Sequence, residues 1–222
     1  MSNNITKVAV VKKQTPDEIK LSKLFFYLQD ISCEIQSSYG ILQIVESTLN
    51  DSIPKETVTF NEFKDSYTFK ILNKNDQVIR TMAKIALQTT ILGICRIAEV
   101  ITNPELKTLL NKYCPISSKR LDTIIIQRCS PQMKQYRNKY VAHPLDLKNN
   151  DFLSLTQIHD LLANILDISD FKNVKFIEIF NLVSSLHRPD LINPDASLSW
   201  AIHHMSGELK SKGVDPDILM RG

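Results

Sequence analysis

The sequence predicts an all-α fold on three observations: glycine is scarce, apolar residues recur at helical spacing over long stretches, and helix-start signals punctuate the chain. Five glycines in 222 residues leave few positions for the positive-φ turns that a β-rich fold needs. With 43% of residues hydrophobic, a chain of this length can bury a real core. One large helical domain over 15–188 is the simplest organisation. An N-terminal extension, 1–14, precedes it. A polar, proline-containing tail, 189–222, is expected to attach loosely, packing through Trp200 or onto a partner.

The first long helix is signalled by Thr15-Pro16-Asp17-Glu18, which combines an N-cap, proline at the first helical position and a capping-box glutamate. Leu21, Leu24, Phe25, Leu28, Ile31, Ile35, Tyr39, Leu42, Val45 and Leu49 then mark one face, and Asn50 to Pro54 ends the run. Residues 55–74 alternate weakly in Thr57-Val58-Thr59-Phe60 and Tyr67 to Ile71, a pattern compatible with a small hairpin or an irregular excursion. A second long helix is expected from about Asp76 to Thr102. Its apolar residues fall on several faces, including Met82, Ile85 and Leu92, as in a central helix.

Asn103-Pro104-Glu105 caps a third helix that ends near Tyr113, and Ser117 or Ser118 is read as the start of a fourth with Leu121, Ile124, Ile125 and Cys129 inward. Ser130-Pro131 opens a short helix over 131–143. Asn149-Asn150-Asp151 precedes an amphipathic helix through Phe152, Leu155, Ile158, Leu162 and Ile165, and a last helix runs from Phe171 to about Leu186.

Composition narrows the function classes. The apolar patch Val8 to Val11 is too short for a signal-peptide core. The longest apolar stretch, Thr89 to Ile101, is broken by Arg96 and Glu99, so no membrane span and a cytoplasmic location are expected. Cys33, Cys95, Cys114 and Cys129 have neither CxxC spacing nor nearby histidines, and they read as buried free thiols. Charge is uneven. From Lys107 to His143 eight basic residues face one acid, Asp122, and this region of charge +7 leaves −4 for the rest of a chain of net +3. Such a concentration favours a phosphate-rich partner such as nucleic acid, with Lys119, Arg120, Arg128, Lys134 and Lys139 as the candidate contacts, and a solvated helical surface is the alternative.

The same region contains Arg137-Asn138-Lys139-Tyr140-Val141-Ala142-His143. This string resembles the signature of the HEPN superfamily, an arginine followed four to six residues later by a histidine, often with a polar residue after the arginine. Architecturally the resemblance extends over 20–185, and the wider layout also resembles the abortive-infection-type branch, with a long helix ending in Leu92-Gly93-Ile94-Cys95-Arg96 before a basic one. It implies a HEPN-like helical bundle, commonly dimeric, and a metal-independent endoribonuclease of toxin or phage-defence type. By the same resemblance Arg137, His143 and Asn138 are the catalytic candidates, no cofactor is required, and an antitoxin or defence partner is expected. In the branch silenced by nucleotidyltransferases a modified tyrosine stands two residues after the histidine. This chain has Leu145 there, which argues against that route. The alternative is a non-catalytic HEPN module that binds RNA or a protein partner, and a purely structural adaptor is a third reading.

Geometry and chemistry can be worked out beside the resemblance. On an ideal helix Met133, Tyr136 and Tyr140 share a face, with Arg137 and His143 on its two borders about 120° apart. They cannot meet one phosphate from a straight helix. His143 precedes Pro144, which disfavours the α conformation there and lets the helix end. A second copy packed on the Met133, Tyr136 and Tyr140 face would bring two arginines and two histidines to a shared cleft, so a homodimer is expected. An arginine fork binds phosphate with fixed charge, and histidine exchanges protons near pH 7. Cleavage would use the RNA 2′-hydroxyl as nucleophile, with His143 as acid or base and Asn138 orienting substrate or histidine. His203 and His204 face different ways on the tail and are not expected to hold a metal. His159 and His187 read as helix-surface residues.

Overall fold

The computed structural model describes residues 14–52, 74–138, 145–146, 151–152, 154–169, 171, 174–187, 196–214 and 216. The fold is all-α. Its helices are α1 (Pro16–Ser52), α2 (Lys74–Thr102), α3 (Pro104–Tyr113), α4 (Pro115–Arg128), α5 (Pro131–Tyr136), α6 (Leu155–Leu166), α7 (Phe176–His187) and α8 (Leu198–Ser211). The excursion expected over 55–74 lies outside the described residues, except that Lys74 opens α2. Between α5 and α6 a two-stranded antiparallel ribbon, β1 (Leu145–Asp146) and β2 (Asp151–Phe152), pairs Leu145 with Phe152.

The capping box at the head of α1 forms as the sequence predicts. The Thr15 backbone N–H donates to Glu18 Oε2 at 2.7 Å, and the Glu18 N–H donates to Thr15 Oγ1 at 3.3 Å. Every apolar residue predicted on the inner face from Leu21 to Val45 is buried. Helix α2 runs antiparallel to α1, since Gly93 meets Ile31 and Ile35 while Arg96 reaches back to Tyr27, and Lys20 at the head of α1 pairs with Glu105 beyond α2. A Cβ at Gly93 would lie 3.1 Å from both Ile31 Cγ2 and Ile35 Cδ1, so the absent side chain sets how closely the two helices approach.

Helix α2 packs as a central helix against α1, α3, α4, α5 and α7, with exposed apolar residues near its start. Ala83, Leu87, Ile91, Ile94 and Ile97 are buried, whereas Met82 and Ile85 are exposed. The segment Thr81–Thr102 also corrects the expectation that no stretch has the length of a membrane span: it is 22 residues long with a mean hydropathy of 1.5. Sixty-one per cent of its apolar stretch is buried against the bundle, as in the core helix of a globular fold.

Helix starts were misplaced where proline and serine compete. Asn103 caps α3 as expected, its Oδ1 accepting from the Leu106 N–H at 3.1 Å. Helix α4, however, begins at Pro115, because proline suits the first helical position. Ser117 and Ser118 are therefore buried within its first turn rather than capping it. Phe152 belongs to β2, and α6 starts after Ser154, whose side chain and backbone form a reciprocal capping box with Gln157. Helix α7 begins at Phe176 rather than Phe171, with the Lys175 N–H held by Glu178 Oε2 at 2.7 Å.

The largest correction concerns the tail. Residues 198–211 are a docked helix, with Leu198, Ala201, Met205 and Leu209 buried against α4 and α1, while Trp200 stays partly exposed and stacks on His204. The spacing i, i+3, i+7, i+11 of those four residues is the physical reason. Glu208 completes the joint. Its Oε1 accepts from the Ile116 N–H at 2.8 Å, and its Oε2 accepts from the Ser117 N–H at 3.0 Å and the Ser117 hydroxyl at 2.6 Å. Cys114 at the N-cap of α4 offers no side-chain bond, so a carboxylate from α8 satisfies the orphan donors and the positive end of the helix dipole.

Replacing Glu208 with Ala should lower stability by about 1–3 kcal/mol, the cost of a lost cap plus buried unsatisfied donors. Glu208→Gln should recover part of it. Urea denaturation midpoints check this, and equal midpoints for wild type and Glu208→Ala would refute the capping role.

Candidate functional site

Helix α5 is six residues long and is fixed by its ends. Ser130 caps it, Oγ accepting from the Met133 N–H at 3.2 Å, and Pro131 fills the first helical position. Met133 and Tyr136 then point into the chain's own core, each almost wholly buried, and the Tyr136 hydroxyl accepts from Gln88 Nε2 at 3.2 Å. The expectation that these two residues form a dimer face is corrected by their burial, since a side chain satisfied within one subunit has nothing to offer another. Tyr140 lies outside the described residues.

Past Tyr136 the backbone widens into a π-type turn at Arg137 and Asn138, a local expansion that often accompanies functional positions. Arg137 Nη2 is ion-paired with Glu99 Oε1 of α2. The guanidinium also lies against the Cys95 sulfur, one helical turn before Glu99. Side-chain exposures of 29% for Arg137 and 56% for Glu99 place the pair at the rim of the fold. At such a location an ion pair contributes at most about 1 kcal/mol, so a phosphate can compete for the fork. Asn138 is exposed beside it. His143 and Lys139 lie outside the described residues.

Two cysteines adjoin the arginine. Cys95 on α2 and Cys129 at the α4–α5 junction share a thiol hydrogen bond, which makes their titration unequal. Cys95, the donor, holds its proton far more tightly than an ordinary thiol, through that bond and then through burial. Cys129 accepts the bond and is lowered to about 7, with Lys134 adding a smaller favourable charge against the opposing effect of burial. Cys114 is pushed up to about 12 by burial and by the Glu208 carboxylate. All four cysteines are free; Cys33 is exposed rather than buried as expected.

The predicted RNA contacts do not form one stripe. Lys119 and Arg128 are nine residues apart on α4, so they project on opposite sides, about 180° apart. Part of the basic region is neutralised within the fold: Lys107 pairs with Asp122 at 2.5 Å, Lys112 with Asp17 at 3.5 Å, and Arg137 with Glu99. Lys119 and Lys134 are exposed, and Arg120 and Arg128 are partly buried. His203 and His204 pack around Trp200, and His187 meets Tyr39 in a tilted ring contact. Among the described residues, no three His, Cys, Asp or Glu side chains converge as metal ligands.

Sequence reasoning missed Glu99 and the Cys95–Cys129 pair. Glu99 was noted only as a break in an apolar run, yet a lone carboxylate inside such a run is itself a sign that something charged meets it.

A helical bundle that presents a rim arginine from a short motif helix, held by a carboxylate of its central helix, defines the class. The model of the HEPN-like integron domain matches residues 17–174, well over half of the chain, and the chain belongs to that HEPN-type family. No curated protein and no solved structure matches it.

Thiol chemistry offers a check on this geometry. In a Cys33→Ser background, alkylation of Cys129 by an excess of bromobimane should rise with a midpoint near pH 7, because the thiolate is the nucleophile and its pKa is lowered to about 7. Cys95→Ala should move that midpoint upward, toward an ordinary thiol, by removing the donor. An unmoved midpoint would rule out the shared proton.

Proposed function

We propose that this chain is a metal-independent endoribonuclease of the toxin or phage-defence type, with Arg137 and His143 as its central pair. The observation that supports it most is the rim position of Arg137, the arginine of the Arg…His string that resembles the HEPN signature. Arg137 sits at the rim, pre-oriented by Glu99 through one nitrogen, with further N–H donors on a planar fork that suits two phosphate oxygens.

The reaction balances without further reagents. A base takes the proton of the RNA 2′-hydroxyl, the 2′-oxygen attacks the adjacent phosphorus, and the bond to the 5′-oxygen breaks as an acid protonates that oxygen. His143 supplies one of the two proton transfers. Arg137 bears the extra negative charge of the phosphorane, and Asn138 orients the strand. The products are a 2′,3′-cyclic phosphate and a 5′-hydroxyl.

Because Met133 and Tyr136 belong to the core, a composite site shared by two copies has to use the exposed side of α5, where Pro131, Lys134, Gln135 and Asn138 lie. The second proton-transfer group then comes from the other copy's histidine.

Purified protein should cut a mixed RNA pool in the presence of chelator, leaving cyclic-phosphate ends. Arg137→Ala or His143→Ala should lower the rate by about 10²–10⁴-fold with helicity retained. Arg137→Lys should restore only part, since an ammonium keeps charge without the two-pronged contact. Glu99→Gln should cost roughly tenfold by releasing the fork from its orientation. Cleavage unaffected in both alanine variants would overturn the assignment.

Binding of RNA should weaken steeply with salt through counterion release. Charge reversal at Lys119, Arg120 and Arg128, and removal of Lys134 and Lys139, should reduce affinity without unfolding the protein. Affinity equal at low and high salt, measured by filter binding with the His143→Ala variant, would refute the phosphate contacts.

A further inference from the structure

A cleft of about 750 Å³ opens between α4, α6 and α7, next to the motif helix, and Met133 of α5 is part of its wall. Its volume falls within the roughly 300–1,000 Å³ of small-molecule sites. Arg137 follows Met133 by one helical turn, so the cleft and the motif arginine belong to one neighbourhood.

The chemistry of the lining is specific. Arg128 is the cation there, its Nε–H is buried without an acceptor, and among the described residues no carboxylate pairs with it. A guanidinium that closes no ion pair among the described residues, in a cleft, is placed for an anion. Two carboxylates also line the cleft. Asp167 is exposed in the left-handed conformation that ends α6, and Glu178 has one oxygen occupied by the Lys175 N–H. Among the described residues the lining carries one cation and two carboxylates, a balance that disfavours a run of phosphates. The set matches a ligand with a single phosphate and several hydroxyl donors. Carboxylates of this kind bind ribose hydroxyls in nucleotide sites of other folds. Asn181 adds amide donors and acceptors, and Phe180 adds an aromatic wall for a base.

We propose that this cleft binds one ribonucleotide, with its phosphate on Arg128, its ribose hydroxyls toward Asp167 and Glu178, and its base against Phe180. The ligand is either a nucleotide of the RNA strand beside the scissile bond or a free ribonucleoside monophosphate. Only the first rests on the ribonuclease reading.

Isothermal titration of the full-length chain with each of the four ribonucleoside 5′-monophosphates, their 2′-deoxy counterparts and inorganic phosphate tests the site. A ribo hexamer titrated into the His143→Ala variant tests the strand. At least one ribonucleotide should bind, with its deoxy form and inorganic phosphate each weaker by roughly tenfold or more. Arg128→Gln should weaken binding by at least about tenfold, through loss of a charge-assisted contact. Asn181→Ala, at an exposed position that leaves folding intact, should weaken it less.

Monophosphate binding without hexamer binding identifies a free nucleotide as the ligand. Hexamer binding that is lost in Arg128→Gln identifies the strand. Nucleotide binding in a protein that cuts no RNA leaves the site standing and removes the ribonuclease reading. Absence of any binding, or binding unchanged in both variants, overturns the site while leaving cleavage to be judged separately.

Discussion

The close contact between α1 and α2 at Gly93 is the constraint on which the rest of the structure depends. With no Cβ at that point, Ile31 and Ile35 sit against the α2 backbone, and the two longest helices become one rigid antiparallel pair. Side-chain direction along α2 then follows from helical geometry. Gln88, Cys95 and Glu99 fall within about 40° of one another, and Gly93 lies about 140° away from Gln88. One side of α2 is therefore committed to α1, and the other presents three polar groups in a line. Those three groups receive α5. Gln88 takes the Tyr136 hydroxyl, Cys95 meets Cys129 and Arg137, and Glu99 holds the guanidinium.

This line explains how so short a helix can place a functional arginine. A six-residue helix has almost no stability of its own, because nucleation costs more than so few hydrogen bonds return. The Ser130 cap, the buried Met133 and Tyr136, and the stripe on α2 hold it instead. The thiol pair adds an electrostatic element, since the bond to Cys129 and burial favour the neutral form of Cys95, the thiol beside Arg137. The guanidinium is spared a thiolate neighbour and answers to Glu99 alone among the described carboxylates.

Much of the fold was legible because local signals and periodicity agreed. The Thr15–Glu18 box, the inner face of α1 and the Asn103 cap each have both a local mechanism and a matching apolar pattern. Reading failed where two local rules compete. Pro115 outranked Ser117 as a helix start, and the Ser154–Gln157 box outranked the asparagines before it. It also failed where a residue's role is set from far away. Nothing near Glu208 says that it will cap α4, and nothing near Met133 or Tyr136 tells an interior face from a dimer face. The motif arginine was legible as a type, whereas its carboxylate partner needed the third dimension. His143, Lys139 and Tyr140 lie outside the described residues, so the other half of the motif stands on sequence alone.

The bond between Glu208 and the head of α4 bears on how the chain comes to fold during synthesis. The region matched to the family ends at residue 174, yet the orphan donors of α4 wait for a carboxylate made more than thirty residues later. Seventy-one residues separate Arg137 from Glu208, which is several seconds of translation at roughly 5–20 residues per second. Throughout that interval the nascent chain already carries its arginine and its basic segment. The seat of α8 on α4 and α1 is still uncovered, and the N-terminus of α4 is still uncapped. Closure of the bundle is thus a late, long-range event, as slow contacts of high sequence separation generally are. Helix α8 locks helices made well before it, and closure of the bundle around the motif region waits on the synthesis of α8 rather than on the emergence of the motif itself.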